Sequence, residues 1–188
     1  VTTATLSAAA DAITVRRAID TDIPAMAELI EVSARVLGRD YYDQRALTAA
    51  IDGVFGVDSV LVQDGTYFIA KLGNEIAGCG GWSKRGTLFG GDRFAGRADD
   101  LLDPAISPAR IRAMFVVPGF ARRGVGSALL HAGEAAARAA GFSAIELMAT
   151  LSGVDFYRKC GFVTAPEVTV TVGDTAVVFV PMRKHLSA

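Results

Sequence analysis

The sequence predicts an α/β domain built on a mixed, mostly antiparallel sheet flanked by helices. Three observations carry that expectation. Ile111 to Ala149 reads in order as strand, glycine-rich basic turn, alanine-rich helix and strand. Gly73-Asn74 and Gly173-Asp174 each sit between runs of strand character, the chemistry of a hairpin turn. A chain of 188 residues, 51% hydrophobic and 21% charged, suits one globular domain with an ordinary core.

The elements follow in order. Val1 to Ala12 is small and polar and is expected to be a flexible tail, leaving 13–188 as a single domain. Ile13 to Ile19 alternates as a first strand. Asp20-Thr21-Asp22 offers capping oxygens and Pro24 suits a first helical turn, so a helix is expected from about Ile23 to Val36, stopped by Gly38. Leu47, Ala50 and Ile51 mark a second helix over Asp43–Asp52. Tyr67–Leu72 and Glu75–Trp82 form the first hairpin, and Gly78, Gly80 and Gly81 point to a bulge or a close backbone approach. Lys84 to Ser107 has no clear period. Its length predicts a functional loop or a short helix. Asp99, Asp100 and Asp103 could draw a cationic substrate, but Arg93 and Arg97 blur that field and a solvated charged loop is the default reading. A short helix over Gly153–Lys159 ends at Gly161, and Val168–Val172 with Ala176–Met182 makes the last hairpin.

The central unit carries the chemistry. Met114-Phe115-Val116-Val117 is an apolar strand that stops at Pro118-Gly119. Arg122-Arg123-Gly124-Val125-Gly126-Ser127 follows and opens a helix that Gly141 closes in the left-handed position. The first turn of a helix leaves N–H groups unpaired and partly positive. Glycines let an anion reach them, and the two arginines add charge, so this turn is a site for phosphate or pyrophosphate. Two other nucleotide motifs fail. A dinucleotide fingerprint needs a third glycine where Leu129 stands, although Glu146 lies about 20 residues on as a ribose-binding acid would. A P-loop needs Gly-Lys-Ser/Thr, which is absent.

At these residues the chain resembles the GCN5-related N-acetyltransferase (GNAT) family. The family signature Q/R-x-x-G-x-G/A aligns with Ala121 to Gly126. Both glycines match, and Ala121 replaces the usual Gln or Arg. Phe156-Tyr157-Arg158-Lys159-Cys160-Gly161-Phe162 resembles a second motif, FYxKxGF. The resemblance implies the GNAT acyl-CoA N-acyltransferase fold, with the strands Ile111–Val117 and Ser143–Ala149 parallel and splayed apart. It also implies acetyl-CoA as cosubstrate, without a metal. The pyrophosphate would rest on Arg122, Arg123, Gly124, Val125, Gly126 and Ser127. The pantetheine arm would pair with the backbone of Met114, Phe115, Val116 and Val117 like an added strand. Thr150 stands where some members have an arm-binding Asn. Tyr157 would be the general acid that protonates the departing thiolate, for which a phenol suits neutral pH. The bland reading of Tyr157 is packing, with its hydroxyl on a backbone carbonyl.

The implied activity is direct transfer of acetyl to a primary amine, on a small molecule or a protein. The alternative is an acyl-CoA-binding regulatory module without turnover. A net charge of −1 gives no footprint for nucleic acid or an acidic membrane. Cys79 and Cys160 lack metal-ligand spacing and suit a reduced, cytoplasmic protein. Cys160 is expected to be a buried small hydrophobe, His131 and His185 surface residues, and Glu146 a solvated acid on a strand face. Exposed sheet edges would allow a homodimer.

Overall fold

The computed structural model describes residues 12–186, so most of the expected tail lies outside the described residues. One sheet of eight strands organises the chain. Its strands are β1 (Ile13–Arg17), β2 (Tyr67–Leu72), β3 (Glu75–Ser83), β4 (Ala109–Val116), β5 (Ala144–Thr150), β6 (Val163–Thr164), β7 (Val168–Val172) and β8 (Thr175–His185). They lie in the order β1-β2-β3-β4-β5-β8-β6, with β7 also paired to β8. All pairings are antiparallel except β4 with β5.

Five α-helices cover the two faces. They are α1 (Ile23–Gly38), α2 (Gln44–Gly53), α3 (Ser59–Gln63), α4 (Val125–Ala139) and α5 (Val154–Lys159). Leu130, Ala137 and Tyr157 from α4 and α5 pack on Ile111, Ile145, Leu147 and Met182 of one face. Met26, Leu29 and Ile30 of α1, Leu61 of α3, and Leu47 and Ile51 of α2 pack on the other, against Ile69, Cys79, Val177 and Phe179. No described helix is long and apolar enough to cross a membrane.

The caps differ from the sequence reading in one place. Asp43 does cap α2, its Oδ1 accepting from Ala46 N–H at 2.7 Å. Asp22 does not cap α1. Its carboxylate turns back to accept from Ile19 N–H at 2.9 Å and from both Arg16 Nη atoms at 2.7 Å. A charge-assisted bidentate pair outcompetes a single capping bond. The helix α3 has no periodic signal in so short a span, and its cap Asp58 marks it only in hindsight.

Two irregularities shape the centre of the sheet. Gly81 pairs with Arg112 but Cys79 with Phe115, so β4 carries one extra residue, a β-bulge in which Ala113 has φ +49°. The glycines of β3 make room for it. A Cβ on Gly80 would lie 2.1 Å from Met114 Sδ, and one on Gly78 would lie 2.9 Å from the Phe115 carbonyl oxygen. The expected close approach is therefore real. Against β4 the additional residue is on the partner strand, and against β2 it is on β3, where Ala70 pairs with Gly78 and Lys71 with Ile76.

The second irregularity is the parallel pair. Rungs join Ala109 to Ile145 and Arg110 to Glu146, and none follows. From Ile111 onward β4 leaves β5 and the edge facing it has no strand partner. The segment between β3 and β4 contains no helix. It folds as a loop held by an Arg85–Leu101 bridge and by Thr87, whose hydroxyl donates to the Ala98 carbonyl at 2.9 Å and accepts from Ala98 N–H at 2.8 Å.

Candidate active site

The gap between β4 and β5 is the mouth of a cavity of about 720 Å³. That size falls in the range of ligand sites, about 300–1,000 Å³. Ile111–Val116 form one wall and Met148–Thr150 the other. Arg122, Gly124, Gly126 and Ser127 close one end, with Phe156 and Tyr157 beside them. The far end is closed by the α1–α2 connection and by Leu88–Gly91 of the long loop.

The anion end is built by the turn before α4. Gly124 has φ +88°, which only glycine adopts at little cost, and Arg122 has φ +65°. The first ladder bond of α4 runs from Ala128 N–H to the Gly124 carbonyl, so the amides of Val125, Gly126 and Ser127 precede the ladder. A Cβ on Gly126 would meet the edge of the Phe156 ring at 3.3 Å, so the absent side chain keeps this corner open. Unpaired amides, a positive helix end and an open cradle fit a pyrophosphate.

The sequence-predicted residues are not all brought to the cavity. Met114, Phe115, Val116, Arg122, Gly124, Gly126, Ser127, Thr150 and Tyr157 line it. Val117 does not, since its N–H is bonded to the Ala77 carbonyl at 2.9 Å. Val125 sends its side chain into the core, leaving only its backbone amide at the helix start. Arg123 lies over the Phe120 ring, 5.5 Å from its centre, away from the cavity wall.

Tyr157 is held edge-on between Phe156 and Phe162, with ring centres 5.0 and 5.5 Å away. Its hydroxyl has no hydrogen-bond partner among the described residues. Burial pushes the phenol well above its usual range, so it stays protonated at neutral pH. A second cavity tyrosine is structural. Tyr42 donates to the Val178 carbonyl at 2.8 Å and accepts from Leu151 N–H at 3.0 Å, and burial raises it to about 12. Thr150 Oγ1 lies 3.1 Å from Ser152 Oγ.

Several expectations about charge are corrected. Glu146 is half-buried and not freely solvated. It is ion-paired with Arg110 at the last rung joining β4 to β5, and does not line the cavity. Asp99, Asp100 and Asp103 do not line it either, and Asp103 is occupied in part by Ala105 N–H at 2.9 Å. Cys160 is half-buried beside the core and its thiol is raised by burial. His131 and His185 are exposed. Among the described residues no group of His, Cys, Asp and Glu is arranged to hold a metal.

The sequence reading missed a buried charge cluster beneath the far end. Arg112 is 3% exposed and Asp58 is 1% exposed. Arg112 donates to Asp58 Oδ2 at 2.7 Å, to the Thr87 carbonyl at 2.8 Å and to the Gly90 carbonyl. Arg97 donates to Asp58 Oδ1 at 2.9 Å. Burial pulls the Arg112 guanidinium down from its usual value, and Asp58 opposes that shift. Three parts of the chain are tied here: α3, the long loop and β4.

The profile of the acetyltransferase (GNAT) family matches residues 25–162, well over half of the 188. No curated protein sequence matches the chain. Among solved structures, the chain is similar to a GCN5-related N-acetyltransferase from Rhodopseudomonas palustris, with TM-score 0.68, 22% identity and cover of 92% of this chain and 95% of that one. It is similar to Ard1 from Thermoplasma volcanium, with TM-score 0.61, 19% identity and cover of 94% and 99%. It is also similar to a PaiA N-acetyltransferase from Thermoplasma acidophilum, solved with coenzyme A, with TM-score 0.63, 15% identity and cover of 93% and 99%. The family match spans the bulged strand, the glycine turn and the tyrosine motif, and the chain belongs to the GNAT family of acetyl-CoA-dependent N-acetyltransferases.

Proposed function

We propose that this chain transfers the acetyl group of acetyl-CoA directly to a primary amine. The observation that carries the reading is the continuity of the cavity, from the glycine turn, along the free edge of β4, past Tyr157, to the space under the long loop. Bound acetyl-CoA supplies the activated acyl group. The chain's own residues do the rest.

The amides of Val125, Gly126 and Ser127, with Arg122, hold the pyrophosphate, and Arg123 adds positive charge nearby. The unpaired edge of Met114–Val116 offers backbone groups to the arm, as an added strand would find them, and Thr150 offers a hydroxyl from the opposite wall. The bulge turns the backbone at Ala113 out of the regular ladder, next to where the acyl group would lie, and pre-aimed N–H groups there can stabilise negative charge on its oxygen. Tyr157 holds the proton for sulfur. A nitrogen–carbon bond forms and the carbon–sulfur bond breaks. The proton lost by the amine balances the one that Tyr157 delivers.

A binding module without turnover would need the glycine turn but no space beyond Tyr157. That space is present. Release of free thiol from acetyl-CoA, monitored across a panel of amines, is the test. An amine-dependent rate supports transfer. Tight acetyl-CoA binding with no turnover on any amine, small or peptidic, would favour the binding module.

A further inference from the structure

The acceptor end of the cavity is walled by apolar and aromatic side chains. Leu37 and Leu47 come from the first two helices, Phe55 from the segment after α2, Leu88 and Phe89 from the long loop, and Phe179 from β8. The rings brace one another. Phe179 lies 5.8 Å from Phe89 and 6.2 Å from Phe55, and Phe55 lies 5.6 Å from Phe115. Phe94 supports Phe89 from behind at 4.7 Å.

Most of the charge around this end is already paired. Arg112 reaches the wall, but its two Nη groups are taken by Asp58 and by the carbonyls of Thr87 and Gly90, which leaves only its buried Nε without a partner. Arg39 and Asp40 stand 3.7 Å apart at the rim, with side chains 70% and 82% exposed. Asp40 is the one carboxylate among the described lining residues. Behind the rim a second ammonium on the acceptor would find no carboxylate, and a carboxylate would find only the Arg112 Nε, and burying a poorly paired charge is costly.

Resting on the transferase reading above, we infer that the acceptor is a small monoamine with an apolar, aromatic-sized body. The body lies against Phe55, Phe89 and Phe179, the amine points back toward Tyr157, and Asp40 at the rim meets the ammonium as it arrives. The long loop takes part through Leu88 and Phe89, which Arg112 holds in place through the carbonyls on either side of them. Polyamines, aminoglycosides and free amino acids fit this wall poorly.

Thiol release is measured with 2-phenylethylamine, spermidine, L-phenylalanine and a short peptide beginning with phenylalanine. Acetyl-CoA binding is measured separately by calorimetry. We expect kcat/KM for 2-phenylethylamine to exceed that for spermidine and for L-phenylalanine at least about tenfold, a difference of roughly 1.4 kcal/mol. Phe89→Ala should raise KM for 2-phenylethylamine several-fold and leave acetyl-CoA affinity alone. Leu37→Asp should lower the preference for 2-phenylethylamine over spermidine, a change of selectivity that a folding defect would not produce. Acetyl-CoA binding combined with turnover only on spermidine, only on L-phenylalanine or only on the peptide overturns the inference while the transferase reading stands. Absence of acetyl-CoA binding overturns both.

Discussion

Arg112 on β4 and Asp58 at the head of α3 are 54 residues apart in sequence and share a 2.7 Å hydrogen bond with both side chains out of water. The pair joins a strand that lines the cavity to a loop that closes it. Stranding a buried charge typically costs about 3–5 kcal/mol, and Asp58 keeps Arg97 at 2.9 Å when Arg112 is lost. Arg112→Met should therefore lower stability toward the low end of that range in denaturant unfolding. The double variant Asp58→Leu, Arg112→Met should lose less than the sum of the single losses, because neither charge is then left alone. Additive losses would show that the pair is not coupled.

Gly126→Glu should destroy the anion corner. Its Cβ would press on the Phe156 ring at 3.3 Å, and its carboxylate would meet the pyrophosphate with like charge. The acetyl-CoA Kd should rise at least about tenfold. Circular dichroism should show the fold intact. Unchanged affinity in calorimetry would remove the glycine turn from the cofactor site.

Tyr157→Phe keeps the ring and its edge-on contacts with Phe156 and Phe162. It loses only the hydroxyl. General-acid assistance is commonly worth about 10²–10⁴-fold, and water can replace part of it, so kcat should fall by at least about tenfold with little change in acetyl-CoA Kd. Because burial raises the phenol, activity should show no loss of this acid between pH 7 and about 9. A Phe variant with unchanged kcat, under conditions where chemistry limits the rate, would exclude the role.

Alkaline pH should unfold the protein by a route that its buried acids dictate. Burial lifts Cys79 from 9.0 to about 12 and Tyr42 from 10.0 to about 12, and it lifts Tyr67 and Tyr157 as well. The unfolded chain releases these protons first, while the native chain keeps them. Above about pH 9 the native state binds more protons than the unfolded one, so stability falls as pH rises, most steeply between pH 10 and 12. Cys79→Ala should lessen the fall between about pH 9 and 10, while Cys160, whose thiol burial also raises, keeps part of it. Denaturant midpoints measured from pH 7 to 12 would show this, and a flat profile to pH 12 would contradict it.

What could be read from the sequence was local. The hairpin at Gly73-Asn74, the left-handed Gly141, and the strand–turn–helix that it closes depend on neighbours a few residues away. The far end of the cavity was not legible in this way. Arg110-Ile111-Arg112 alternates as a half-exposed strand would, and nothing nearby signals that the Thr87 and Gly90 carbonyls cover Arg112. Phe55, Phe89 and Phe179 come from three distant segments, and each alone looks like core. The acids of the long loop were legible as solvated surface, their default reading, and Asp99, Asp100 and Asp103 are exposed. Charge in a loop marks solvent exposure, and this loop meets the cavity through Leu88 and Phe89 instead.

The extra residue in β4 also changes the phase of the strand. Arg112 faces the Asp58 side, and so do Ala113 and Phe115, while Ile111, Met114 and Val116 face α4. Two successive residues thus share a face, and the odd and even positions exchange sides at that point. The same residues in regular alternation, with Ala113 paired and not bulged, would put either the guanidinium or the Phe115 ring on the wrong side. Upstream of Ala113 the strand is in phase with the charge cluster that fixes the loop, and downstream it is in phase with the apolar layer under α1. Deleting Ala113 would therefore return the strand to plain alternation with every remaining side chain on its own layer, and would remove only the turned backbone that the extra residue creates.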